Sequence, residues 1–171
     1  ERIYVPSLPQ GGLLGRYFPN PDWSGEPALV RIDPQVAFYF HALPLPRPFS
    51  VRWSGSVRAE VSGIYRFGTR SVDSSWLEVA GRPLVENPHP EGDVVGSVAL
   101  EPGWYPVELR YRATGNFSQV YLDWVPPGGE RATVPQSALR PGAPSGVEPI
   151  ASAPPTETAR DAPQELGVER W

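Results

Sequence analysis

From Phe49 onward the chain alternates. Val51, Trp53, Val57, Ala59 and Val61 fall on one face of a segment whose other face carries Arg52, Ser54, Ser56, Arg58 and Glu60. A period of two marks a half-buried strand. Tyr65 and Phe67 continue the apolar face in the next segment, and Leu77 and Val79 lie opposite Trp76 and Glu78. Tyr105, Val107, Leu109 and Tyr111 alternate with Glu108, Arg110 and Arg112, and Val120, Leu122 and Trp124 with Tyr121 and Asp123. Leu84-Val85, Val94 to Leu100 and Ala132 to Val134 read as further strands. Turn chemistry separates them: Ser62-Gly63, Gly81, Glu101-Pro102-Gly103, Thr114-Gly115-Asn116 and Pro126-Pro127-Gly128-Gly129. No segment sustains a helical stripe. Strands with one apolar and one solvated face predict an all-β protein, its antiparallel sheets stacked as a sandwich or closed as a barrel.

Composition agrees and narrows the chemistry. The 171 residues include 23 prolines and 17 glycines, which disfavours long helices. There is no cysteine, so disulfides, thiolate metal sites and a cysteine nucleophile are excluded. All 15 basic residues are arginine, and the net charge is −4, without the basic footprint of a nucleic-acid binder. No run approaches the roughly 18 apolar residues of a membrane span, and no signal peptide opens the chain. The reading is an extended lead-in over 1–11, a β domain over 12–141, and an acidic, Pro-rich linker or tail over 142–171 with a helical turn near Asp161–Leu166.

Catalytic signatures are missing. His41 and His89 sit in no metal-binding pattern, and there is no nucleophile elbow, P-loop or dinucleotide-binding glycine motif. Asp33, Asp73, Glu78, Glu86 and Asp123 read as solvated carboxylates, so the chain is read as non-catalytic. The alternation that buries Leu77 turns Trp76 outward beside Asp73, Ser74 and Ser75. An outward indole can pack on the C–H face of a pyranose while short hydroxyls and a carboxylate take its OH groups. The alternative for Trp76 is a ring covered by a neighbouring loop. Asn87 and Asn116 can reach a ligand from loops, and Asn116-Phe117-Ser118 matches a glycosylation acceptor. Trp23 fits a loop packing on the sandwich edge; Trp53, Trp104 and Trp124 fit core or sheet-covering positions. Outward Arg52, Arg58, Arg66, Arg110 and Arg112 are explained by cross-strand ion pairs with Glu60 and Glu108.

Taken in order, several segments resemble the PA14 domain family over about residues 12–141. They are Gly12-Leu13-Leu14-Gly15-Arg16-Tyr17-Phe18, Trp23-Ser24-Gly25, Arg31-Ile32-Asp33-Pro34, Phe49 to Gly55, Gly63 to Phe67, Asp73 with Leu77 to Arg82, Gly103 to Tyr111, and Leu122 to Pro127. The resemblance implies a β-sandwich or barrel-like module of the kind found in toxins, glycosidases, adhesins and other cell-surface proteins, and appended to membrane glycosyltransferases. It implies an extracellular or cell-surface location, with a glycan or cell-surface polysaccharide as ligand. The competing expectation is a structural module docked on a protein partner or a parent membrane protein. In the adhesin branch two consecutive aspartates hold calcium. Here Val72-Asp73 stands at that position, and Val72 offers no side-chain oxygen to a cation that wants six to eight. The expected mode is aromatic stacking and hydrogen bonding through Asp73, Ser74, Ser75, Trp76, Asn87 and Asn116, with no cofactor and no adhesin-type calcium site.

Overall fold

A computed structural model of the protein describes residues 11–89, 91–142 and 169–170. The strands are β1 (Leu13–Phe18), β2 (Leu29–Asp33), β3 (Ala37–Tyr39), β4 (Phe49–Ala59), β5 (Gly63–Val72), β6 (Ser74–Val79), β7 (Arg82–Asn87), β8 (Glu91–Leu100), β9 (Gly103–Ala113), β10 (Gln119–Val125), β11 (Ala132–Thr133), β12 (Leu139–Arg140) and β13 (Glu169–Arg170). They form two antiparallel sheets. The first runs β2-β1-β4-β9-β6-β7, with β12 on β4; the second runs β11-β10-β5-β8-β13, with β3 on β10. The architecture is an open two-sheet sandwich, not a closed barrel. The expected tail and its helical turn lie outside the described residues, apart from the Glu169–Arg170 pairing with β8.

The alternation in sequence is the alternation in space. Val51, Trp53, Val57, Tyr65, Phe67, Leu77, Val79, Leu109, Tyr111, Val120 and Leu122 interdigitate between the sheets, buried almost completely. Val61 departs from the pattern and is half exposed. Strand β4 ends at Ala59, and residues 60–62 turn. The Tyr65 hydroxyl then returns four residues to donate to the Val61 carbonyl at 2.9 Å. Tyr105 repeats this at the next hairpin, donating to the Glu101 carbonyl at 2.7 Å.

A second anchor lies between β1, β2 and β4. Buried Asp33 accepts from the Tyr17 hydroxyl, from Trp53 Nε1 at 2.7 Å and from Arg31 Nε at 2.7 Å. Gly15 is required beside it, because a Cβ there would stand 2.7 Å from an Asp33 oxygen and 2.9 Å from the Tyr17 ring. Burial pushes the Tyr17 phenol far above the ordinary tyrosine range, and burial does the same to Tyr111. A raised phenol favours the folded state until the unfolded chain's tyrosines ionise, so stability is present below about pH 10 and falls as the pH rises beyond it. In an absorbance titration, Tyr17 and Tyr111 should ionise only as the fold is lost. Phenols at these positions that titrate reversibly near pH 10 would contradict that expectation.

Candidate functional site

The site is organised by the point where the chain changes sheets. Strand β5 belongs to the second sheet and β6 to the first, and a single residue, Asp73, connects them. Its φ of 74° turns the backbone sharply. Aspartate tolerates that region better than most residues. Its carboxylate accepts from Thr114 N at 2.9 Å, Gly115 N at 3.0 Å and Thr114 Oγ1 at 3.2 Å. Asp73 therefore ties the β5–β6 crossover to the β9–β10 loop. It faces that loop, not solvent, and is 8% exposed.

The other expected ligand groups are separated by the pleat. Ser75 is fully buried and shares hydrogen bonds with the hydroxyls of Thr69 at 2.8 Å and Ser71 at 2.9 Å. Asn87 is 1% exposed and donates to Ser71 Oγ at 3.3 Å. Both belong to a polar cluster between the sheets, and Gly92 packs so close that a Cβ there would lie 2.1 Å from the Asn87 amide. Ser74 lies on the outer side and donates to the Pro88 carbonyl at 3.0 Å. Asn116 is exposed in the β9–β10 loop. Its neighbour Phe117 meets Tyr39 edge-on at 4.7 Å. Asp73, Ser75 and Asn87 thus stand inside the fold, and Asn116 stands in a loop apart from Trp76. A period-two reading puts Ser75 on the buried face with Leu77 and Val79; adjacency in sequence grouped it with Trp76 instead.

Trp76 does lie on the outer face of the first sheet, with Leu77 buried beneath at 1%. It is half-buried, not free. Trp23 packs against it edge-to-face at 5.5 Å. The Arg110 and Arg112 guanidinium carbons lie 5.8 and 5.3 Å from the Trp76 ring centre, and 5.3 and 5.2 Å from that of Trp23. Trp23 is held in turn by its indole N–H, which donates to the Val51 carbonyl at 3.0 Å. Arg112 is held by donation to the Pro21 carbonyl at 2.7 Å. The Trp76 ring stands on the outer face, as the alternation predicts, and Trp23 from the β1–β2 connection covers part of it. The rest lines a depression of about 260 Å³ with Glu78, Pro83, Glu86, Glu108 and Arg110.

Of the expected cross-strand ion pairs, Arg52–Glu108 forms at 3.7 Å; Arg110–Glu108 at 3.7 Å and Arg58–Glu60 at 3.8 Å join residues two apart in sequence, and Arg112 turns to the Pro21 carbonyl instead. Of the remaining carboxylates, Asp33 is locked in its network. Asp123, 2% exposed, accepts from Arg131 Nη2 at 3.0 Å and Thr133 Oγ1 at 3.0 Å. The Val72–Asp73 position does not fit a calcium ion. It supplies one carboxylate, already engaged by three donors. Among the described residues no three His, Asp or Glu side chains converge on a metal. Among those residues, too, no helix is long and apolar enough to cross a membrane.

The anti-sigma-I factor RsgI3 of Acetivibrio thermocellus is 30% identical over 138 residues, covering 76% of this chain and 21% of that protein. An anti-sigma factor domain-containing protein from Clostridium clariflavum superposes with a TM-score of 0.71 at 28% identity, over 80% of this chain and 49% of its own. The chain thus spans about a fifth of the curated relative and about half of that solved structure. A PA14 sugar-binding domain from an RTX adhesin shares the fold, with a TM-score of 0.64 at 16% identity over 78% of this chain and 99% of its own. The sequence model of the PA14 domain matches residues 9–138, which span both sheets from β1 to the turn before β12, and the chain belongs to the PA14 domain family.

Proposed function

We propose that this domain is a non-catalytic, extracytoplasmic carbohydrate-binding module that takes a sugar on the outer face of its first sheet, without a metal. The observation that carries the reading is the Trp76 depression. Trp76, three acidic residues (Glu78, Glu86 and Glu108) and Arg110 line about 260 Å³. Apolar sugar faces stack on indole, and carboxylates accept sugar hydroxyl hydrogens; a concave site with an aromatic wall and a few placed polar groups is the usual form of a small-ligand site. That the fold neighbour from an RTX adhesin is a sugar-binding domain supports the same class of ligand. Of the carboxylates that could serve hydrolysis, Asp33, Asp73 and Asp123 are held by internal donors, which supports a binding role.

The test is a glycan array followed by titration of any binder, with calcium and with a chelator. Trp76→Ala should weaken binding at least tenfold, a loss of about 1.4 kcal/mol by the affinity relation, while thermal stability changes little. Chelation should leave affinity unchanged. Flat binding across the array, or affinity that requires calcium, would overturn the reading.

The likeness to anti-sigma factors favours a second reading, that the module is the ligand-responsive part of a longer regulatory protein. In that case glycan binding to the longer protein should alter its hold on a sigma factor. Glycan-independent regulation would leave a protein-docking or spacer role.

A further inference from the structure

The register of the first sheet sets an unusual row across its outer face. Arg16 pairs directly with Arg52, Arg52 with Arg110, Arg110 with Trp76, and Trp76 with Glu86. Three arginines therefore stand opposite one another on three adjacent strands, spanning about 10 Å at the usual strand spacing. Like charges placed directly opposite destabilise a sheet. Arg112, one step along β9, adds a fourth cation beside Trp76. The acids of the same face are Glu108, Glu78 directly opposite it, and Glu86 beside Trp76. Glu108 reaches both Arg52 and Arg110 only at 3.7 Å. The Arg52 Nε is buried and has no hydrogen-bond acceptor. Arg16 donates to Ser54 Oγ at a long 3.3 Å. Two depressions lie beside the row: one of about 470 Å³ lined by Arg16, Ser54, Glu78 and Glu108, and the Trp76 depression of about 260 Å³, which shares Glu78 and Glu108 with it.

A row of like charges in which Arg52 Nε has nothing closer than Glu108 at 3.7 Å works against the fold, and such a conflict is the mark of a functional site. We infer that the row binds an acidic saccharide, a uronic-acid chain laid across β1, β4, β9 and β6. Its carboxylates would pair with Arg16, Arg52 and Arg110 while one ring packs on Trp76. Guanidinium is matched to carboxylate in shape and charge, and it forms the stronger, charge-assisted hydrogen bonds. The inference rests on the sugar-binding reading above and specifies the class of sugar.

The test compares three probes by calorimetry at low and raised salt: an oligogalacturonate, the same oligomer fully methyl-esterified, and dextran sulfate. The oligogalacturonate should bind at least tenfold tighter than its ester, with an advantage that shrinks as salt screens it. Arg52→Gln should lose about tenfold of that affinity yet leave the thermal midpoint unchanged or raised, because it relieves the row. Glu108→Gln should bind the oligogalacturonate several-fold more tightly, a gain that no folding defect imitates. Equal binding of acid and ester, weaker binding by Glu108→Gln, or preference for dextran sulfate would overturn the assignment. If neutral glycans still bind through Trp76 in such a case, only the acidic specificity is lost. If no glycan binds at all, the sugar-binding reading falls with it.

Discussion

Asp33→Ala is expected to be the most damaging single substitution in the domain, costing about 4 kcal/mol. The carboxylate is 3% exposed and serves three donors from β1, β2 and β4. Its removal strands the buried Trp53 indole N–H and the Tyr17 hydroxyl and leaves Arg31 without its acid. Each buried donor left unpaired costs about 1–3 kcal/mol, and the alanine leaves a cavity as well. Domains of this size are stable by only about 5–15 kcal/mol, so the variant should unfold at far lower denaturant. Asp33→Asn should fall between, since it keeps an acceptor but turns an amide N–H toward donors. Urea unfolding of the three proteins tests this; a loss under about 1 kcal/mol for the alanine variant would show that water replaces the carboxylate and that the network is dispensable.

The second large effect is expected at Asp73. Asp73→Ala removes acceptors from two backbone amides and a hydroxyl. It also places alanine at a φ of 74°, where a β-carbon is strained. Together these should cost about 3 kcal/mol. Asp73→Asn should cost about 1 kcal/mol, since asparagine accepts the conformation and one oxygen remains. Hydrogen exchange should accelerate at the Thr114 and Gly115 amides in the alanine variant and leave β4 protected. If Asp73→Ala instead abolishes glycan binding with stability intact, Asp73 is a ligand-contacting group and its placement as a clamp is mistaken.

The sequence reads both aspartates, and Asp123, as solvated, whereas the structure buries all three, because their donors come from residues that alternation does not connect to them. The positions of the main strands and their buried faces follow from period-two patterning, because a strand that misplaces one residue turns its whole apolar set to solvent. Val61 breaks the pattern because the tyrosine that closes the hairpin reaches back to its backbone, a contact four residues away that alternation does not encode. The site was half legible. Trp76 over Leu77 follows from the pleat, and so does the inward turn of Ser75. What could not be read is which distant residues share the outer face. Trp23 arrives from the β1–β2 connection and Glu86 from β7. The arginine row depends on the register between β1, β4 and β9. Register couples residues 16, 52 and 110, and a single strand pattern contains no trace of it. Each arginine alone reads as half of a surface ion pair; only the register shows three of them directly opposite one another.

The most direct measurement of the central claim is an amide and indole NMR titration of the labelled domain with a bound glycan, in the presence of a calcium chelator. The Trp76 indole N–H and the amides of Trp76, Glu86 and Arg110 should move together and saturate with the affinity found by calorimetry. If the moving signals instead cluster at Tyr39, Asn116 and Phe117, or move only once calcium is restored, the sugar sits elsewhere and the Trp76 face is not its site.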